Sequence, residues 1–210
     1  MKVVDLTHVI HPNMPVFPGT EAPVFEKANT IERDSFCEMK ITMYSHTGTH
    51  MDAPAHMLKD GVTLDRMDAN HFVGKAIILE FNDKKQIQLQ DIVQYENKIV
   101  ECDFVIIKTG WSKFWGKEEY FEGFPSISVD VAEWLVKLNL KGVGIDAISI
   151  DDMKSTLFEV HKILMKNNLI IIENLTNLEK VEDEFFTLAV LPLKTLNADG
   201  APIRAVAIIE

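Results

Sequence analysis

Cysteine is scarce in this chain: Cys37 and Cys102 are the only two in 210 residues. Two isolated thiols exclude a disulfide framework and a thiolate metal site, and read as small buried hydrophobes or free surface thiols. Positive charge is also in deficit, with 21 Lys and Arg against 32 Asp and Glu, a formal net charge of −11 and a pI near 5.1. The basic residues are scattered, so neither nucleic acid nor an anionic membrane surface is an expected partner. Long apolar runs are missing as well. None approaches the ~20 residues of a membrane helix, and Met1-Lys2-Val3-Val4-Asp5-Leu6 lacks the apolar core of a signal peptide. The expectation is a soluble, cytoplasmic protein that meets a small molecule.

What the chain does have is a core. Its 47% hydrophobic content over this length fits one domain spanning residues 1–210 better than two. The proline-rich start, His11-Pro12, Met14-Pro15, Phe17-Pro18-Gly19 and Ala22-Pro23, is extended and turn-rich, and its Val16 and Phe17 suit a segment that packs on a surface. Short β-branched runs at Lys75 to Phe81, Phe104 to Lys108, Gly142 to Asp146, Leu169 to Glu173, Phe185 to Leu191 and Ala205 to Ile209 read as buried strands. Val129 to Leu138, opened by Ser128, predicts a capped helix, and Ser155 to Lys166 a second. In the second, Leu157, Val160, His161, Leu164 and Met165 share one face, which turns His161 toward apolar neighbours. Strands alternating with helices predict an α/β or mixed α+β fold.

The densest chemistry lies in Tyr44 to Met57, where three of the chain's seven histidines stand with an aspartate: His46, His50, Asp52 and His56. Thr47, Gly48, Thr49 and Pro54 disfavour a helix there. On an extended chain His46, His50 and Asp52 project to one side, and His56 keeps that parity if the strand continues past Pro54. Imidazole and carboxylate ligands suit Zn²⁺, Mn²⁺ or Fe²⁺, whereas Ca²⁺ and Mg²⁺ take oxygen alone. Three ligands and a spare histidine fit an open catalytic site, with His56 free to act as general acid/base. His161 on an apolar helix face and Glu173 at the end of an apolar strand point the same way, because a buried carboxylate has to be neutralised, paired or bound to a cation. A non-catalytic metal- or ligand-binding protein and a purely structural zinc site are the competing readings. The extra titratable group His56 weighs against the first, and a core that needs no metal to fold weighs against the second.

These residues, with Asp5-Leu6-Thr7, Pro15 to Gly19, Lys108 to Trp111, Gly144-Ile145-Asp146, Ser149-Ile150-Asp151 and Glu173-Asn174-Leu175, form a pattern that resembles the metal-dependent cyclase-like hydrolase family. That family includes bacterial kynurenine formamidases (arylformamidases) and isatin hydrolases. The resemblance covers most of the chain, and its specific part is His46-Thr-Gly-Thr-His50-Met-Asp52-Ala-Pro54-Ala-His56.

It implies a swivelling β/β/α domain, a mixed sheet with flanking helices. By resemblance, His46, His50, Asp52, His161 and Glu173 are metal ligands and His56 is the catalytic acid/base. Glutamate at position 173 goes with two ions, expected to be zinc with manganese as competitor, where isatin hydrolases carry glutamine and one ion. The implied activity is hydrolysis of an aryl formamide such as N-formylkynurenine, with a cyclic amide or imide as the nearest alternative. Phe17 and Trp111 are the aromatic candidates for substrate contact. Members commonly form homodimers or homotetramers in which a neighbouring chain's N-terminal segment helps line the pocket. The chain departs from many relatives at Ala147-Ile148, where they read Thr-Pro, and at Asp152, where proline is common.

Overall fold

The computed structural model describes residues 1–209. Its strands are β1 (Lys2–Asp5), β2 (Val24–Asn29), β3 (Glu38–Thr42), β4 (His50–Asp52), β5 (Val73–Glu80), β6 (Gln86–Ile87) and β7 (Phe104–Lys108), then β8 (Ser126–Ile127), β9 (Gly142–Ile145), β10 (Ile170–Glu173), β11 (Phe185–Ala189), β12 (Gly200–Pro202) and β13 (Val206–Ile209). Nine of them form one mixed sheet in the order β1-β13-β11-β5-β7-β9-β10-β4-β12. Its centre, β5-β7-β9-β10, is parallel, and antiparallel strands extend it on both sides. This is the mixed α/β architecture expected from the strand and helix pattern.

The central strands are apolar over most of their length, with charged residues mainly at their ends, because both faces of the sheet are covered. Along β7, Val105 and Ile107 join a core with Ile145 of β9 and with Val131, Leu135, Val160 and Leu164 of the helices Val129–Leu135 and Glu159–Lys166. Phe104 and Ile106 face the opposite way, into a second core with Met51, Ile172, Leu175, Phe186 and Ala207. Each buried aliphatic side chain contributes roughly 1.5–3 kcal/mol relative to exposure, so the sheet is a stiff platform for whatever its edges carry.

The end of the sheet at β4 positions the site. β4 lies between β10 and β12, with His50 opposite Glu173 and Pro202, and Asp52 opposite Ile171 and Gly200. Directly paired residues share a face and alternate residues repeat it, so His50, Asp52 and Glu173 emerge on one side while Met51 and Ile172 enter the second core.

Two of the expected boundaries that moved bear on the site. The helix predicted over Ser155 to Lys166 begins at Glu159, and Leu157 is 60% exposed instead of lying on the apolar face. The helix start is set from a distance: the Asp151 carboxylate accepts the backbone N–H groups of Val160 at 3.3 Å and His161 at 3.0 Å, satisfying first-turn donors that would otherwise be orphaned. The strand carrying His50 stops at Asp52, and Pro54–His56 forms a 3₁₀ turn. His56 therefore reaches the site through a turn and not by strand parity.

A two-stranded hairpin, β2 with β3, stands apart from the large sheet. Val24, Met39 and Ile41 on it are exposed, and the lack of a buried face explains why no alternating pattern marked it in the sequence.

Candidate functional site

Asp52 is the hub. It is 1% exposed, and its Oδ1 lies 2.6 Å from His46 Nδ1 and 3.2 Å from His50 Nε2. Its Oδ2 lies 3.6 Å from His161 Nε2. Glu173 closes the other side, with Oε1 3.3 Å from His161 Nε2 and Oε2 3.6 Å from His50 Nε2. Two sets of donor atoms, His46-His50-Asp52 and Asp52-His161-Glu173, each lie within 4.8 Å of one another and share the one carboxylate. All five residues expected as metal ligands are thus brought together.

The imidazoles are held from behind. His50 Nδ1 donates to the Gly48 carbonyl at 2.9 Å, leaving Nε2 free toward the carboxylates. His161 Nδ1 is 2.6 Å from Asp151 Oδ2, which likewise directs its Nε2 inward. Histidines that bind metals characteristically donate their second ring N–H in this way. Glu173 Oε1 also accepts the Ile150 N–H at 2.9 Å. The loop before His50 is fixed by Asn174, whose Nδ2 donates to the Gly48 carbonyl, and by Thr49, whose hydroxyl donates to the Asn174 carbonyl. Gly48 takes φ +66, a left-handed turn that glycine adopts without strain.

The buried carboxylates favour positive charge beside them. Burial resists charging of His46, yet the Asp52 and Asp199 carboxylates outweigh it and raise its pKa to about 9. Burial is likewise overcome at His161, which Asp151, Asp52 and Glu173 hold well above the ordinary histidine value. Asp52, despite its burial, is held well below the usual carboxylate range by His46, His161 and His50. Among the described residues, no Lys or Arg lines the cavity. The donor set, two buried carboxylates and three oriented imidazoles, fits borderline divalent ions such as zinc or manganese.

His56 lies beside this cluster with its ring centroid 3.9 Å from that of His46. Burial, only partly offset by the Asp52 carboxylate, holds its pKa below the ordinary value. It faces a cavity of about 530 Å³ that also exposes His50, Asp52, His161 and Glu173, with Pro15, Phe17, Tyr44, Ile148 and Phe158 among the walls. Phe17, 39% exposed, stands at this cavity. Trp111 does not line it: its Nε1 donates to the Tyr120 carbonyl at 3.0 Å and its ring packs on Phe114 and the helix-side core. The structure gives Trp111, expected as a substrate contact, a packing position that satisfies both its apolar face and its one donor.

The family model described as "Putative cyclase" matches residues 4–152. The chain belongs to the cyclase family of metal-dependent hydrolases. This cyclase-family chain is 36% identical to an uncharacterized protein of Methanocaldococcus jannaschii, covering 100% of both. It is 31% identical to a kynurenine formamidase of Geobacillus thermodenitrificans, over 96% of this chain and 95% of the relative. An isatin hydrolase solved with the product analogue thioisatinate superimposes with a TM-score of 0.90 at 25% identity, over 99% of this chain and 92% of that one.

Three neighbours of the cyclase-family cluster escaped the sequence reading of the site: Asp199, Gly200 and the anchoring role of Asn174. Asn197-Ala198-Asp199-Gly200 reads as an ordinary turn, and nothing local shows that it closes on residues near position 50. Asn174 holds φ +58, a conformation that asparagine tolerates better than most residues and that sequence alone does not reveal.

Proposed function

We propose that the chain is a metal-dependent amide hydrolase that cleaves aryl formamides, with N-formylkynurenine as the first substrate to try and kynurenine and formate as products. The observation that carries this reading is the shared Asp52 carboxylate, flanked on its two oxygens by separate histidine sets beside a cavity that also receives His56. His46, His50 and Asp52 would hold one ion, and Asp52, His161 and Glu173 a second. The proposed ions are zinc, with manganese as competitor. When bound, such ions supply Lewis acidity that polarises a carbonyl and makes water more acidic.

The chain's own residues do the rest. Phe17, Tyr44 and Phe158 offer apolar surface against which a flat aryl group is held, a use for which aromatic walls are suited. His56, neutral near pH 7 because its pKa is depressed, accepts the proton of the attacking water. The water oxygen adds to the formyl carbon, the carbon–nitrogen bond breaks, and His56 returns the proton to the departing amine nitrogen. With Nδ1 turned toward Asp199 at 3.7 Å, Nε2 is the atom free to carry it. Proton transfer by a placed histidine is worth about 10²–10⁴ in rate.

The decisive assay is release of formate from N-formylkynurenine by zinc- or manganese-loaded protein, with elemental analysis of the ion retained. No hydrolysis at high enzyme concentration would set this substrate aside. Turnover of isatin instead would favour the second reading, a cyclic amide or imide hydrolase, which the similarity to the isatin hydrolase fold supports. Silence across a panel of amides, esters and lactams would leave a non-catalytic binding protein.

Assembly into a homodimer or homotetramer is part of the same proposal. The exposed apolar side chains of the β2–β3 hairpin, Val24, Met39 and Ile41, support it, and sedimentation velocity of Ile41→Glu against the native chain tests it.

A further inference from the structure

Each histidine facing Asp52 turns one ring nitrogen inward, and the partner behind the other nitrogen decides which one that is. Gly48 serves His50 and Asp151 serves His161. His46 has a different arrangement. Its Nδ1 is the inward atom, 2.6 Å from Asp52, and its Nε2 lies 3.1 Å from Asp199 Oδ2. Asp199 immediately precedes β12, and its backbone carbonyl accepts the Ala53 N–H at 2.8 Å, which ties it to the end of β4. The next residue makes room for the ring: a Cβ on Gly200 would fall 2.5 Å from His46 Cε1 and 2.8 Å from Nε2. The same Asp199 oxygen is 3.7 Å from His56 Nδ1, so one carboxylate faces both rings of this tilted pair.

We propose that Asp199, with Gly200 as the seat for the ring, is a positioning residue that accepts the Nε2 proton of His46 and so commits Nδ1 to the ion shared with His50 and Asp52. This rests on the metal-centre reading. A neutral imidazole has one N–H and one lone pair, so an acceptor fixed at Nε2 settles which nitrogen remains a ligand. Asp199 thus has the same relation to His46 that Asp151 has to His161, but it belongs to the last part of the chain and lies at the rim of the cavity.

Zinc affinity measured by competition with a chromophoric chelator tests the proposal in the native chain, Asp199→Ala, Asp199→Asn and Gly200→Ala, with thermal unfolding of each metal-free protein alongside. Asp199→Ala is expected to weaken one of two zinc ions by about 10- to 100-fold and to leave the other within about twofold. Asp199→Asn keeps an acceptor oxygen and is expected to recover most of the loss, while Gly200→Ala, whose Cβ would crowd both the ring and the Met51 carbonyl of β4, is expected to weaken zinc at least as much as Asp199→Ala. Nitrogen-15 spectra of the zinc-loaded native chain should show His46 bound through Nδ1 and protonated at Nε2. Native affinity for both ions in Asp199→Ala, or zinc bound at His46 Nε2, overturns the proposal. So does equal weakening of both ions with a lowered metal-free melting temperature, which would make Asp199 merely structural. A native chain that takes up neither zinc nor manganese overturns the metal reading itself, an outcome distinct from a loss confined to the variants.

Discussion

The inner and outer halves of the cluster are built by different means. Asp52, Glu173 and His161 are 1%, 5% and 3% exposed and come from β4, β10 and the first turn of the helix Glu159–Lys166. His46, His56 and Asp199 are half-buried and come from a loop, a 3₁₀ turn and the residue before β12. Regular structure supplies the donors whose place must not vary, and turns supply the groups that meet solvent and substrate. In the inner half Glu173 accepts the Ile150 N–H and His161 is held by Asp151, which itself accepts the Val160 and His161 N–H groups, whereas in the outer half His46 lies between the carboxylates of Asp52 and Asp199. On the proposed reading the inner half would hold ions, while in the outer half His46 would complete one ligand set, Asp199 would orient it and His56 would move the proton.

The strongest way to break this division is to remove what both halves share. Stripping the ions with a chelator is expected to abolish hydrolysis, and His50→Ala to lose both activity and metal. Full metal occupancy in His50→Ala would sink its assignment as a ligand. The halves should then separate at His56→Ala, with kcat falling by about 10²–10⁴-fold and metal content near native. Loss of metal in that variant would merge the two halves.

A smaller contrast concerns the wall of the cavity. Phe17→Ala is expected to raise KM by roughly fivefold with little change in melting temperature. Trp111→Ala should leave KM alone and cost about 2–3 kcal/mol of stability through lost packing. The reverse pattern would restore Trp111 as a substrate contact.

The smallest effect is on pH dependence in the metal-free chain. His46, raised to about 9 from an ordinary 6.5, contributes stability that is fully present below 6.5 and is lost as pH rises through 9; His161 acts in the same direction. Burial alone holds His8 down, near 4, so its contribution is present above 6.5 and is lost as pH falls through 4. Calorimetry should therefore show the metal-free melting temperature dropping by roughly 5 °C between pH 6.5 and 9.5. Zinc should remove that slope, since the ions occupy the nitrogens that would titrate. A slope unchanged by zinc would place the ions elsewhere.

The sequence made the inner half legible and left the outer half partly hidden. Glu173 and His161 stood out because a carboxylate ending an apolar strand and a histidine on an apolar helix face violate simple patterning, and such violations concentrate at functional sites. The central strands were legible for the complementary reason, since burial on both faces leaves an unbroken apolar run. β1 and the β2–β3 hairpin were missed because their residues are largely exposed and follow no burial period. Asp199 was missed because its meaning is wholly non-local. Leu157 was misplaced for the same reason: the residue that starts its helix, Asp151, lies outside the helix.

The short strand β4 has a consequence for how the molecule assembles. Its partners, β10 and β12, both come from the last quarter of the chain, so the ladder that carries His50 and Asp52 closes only after most of the polypeptide is in place. Contacts so distant in sequence must overcome large loop-closure entropy and form slowly. In pulse-labelling exchange during refolding, the amides of β4 should gain protection after those of β5 and β7, so that competence to bind ions marks the end of folding.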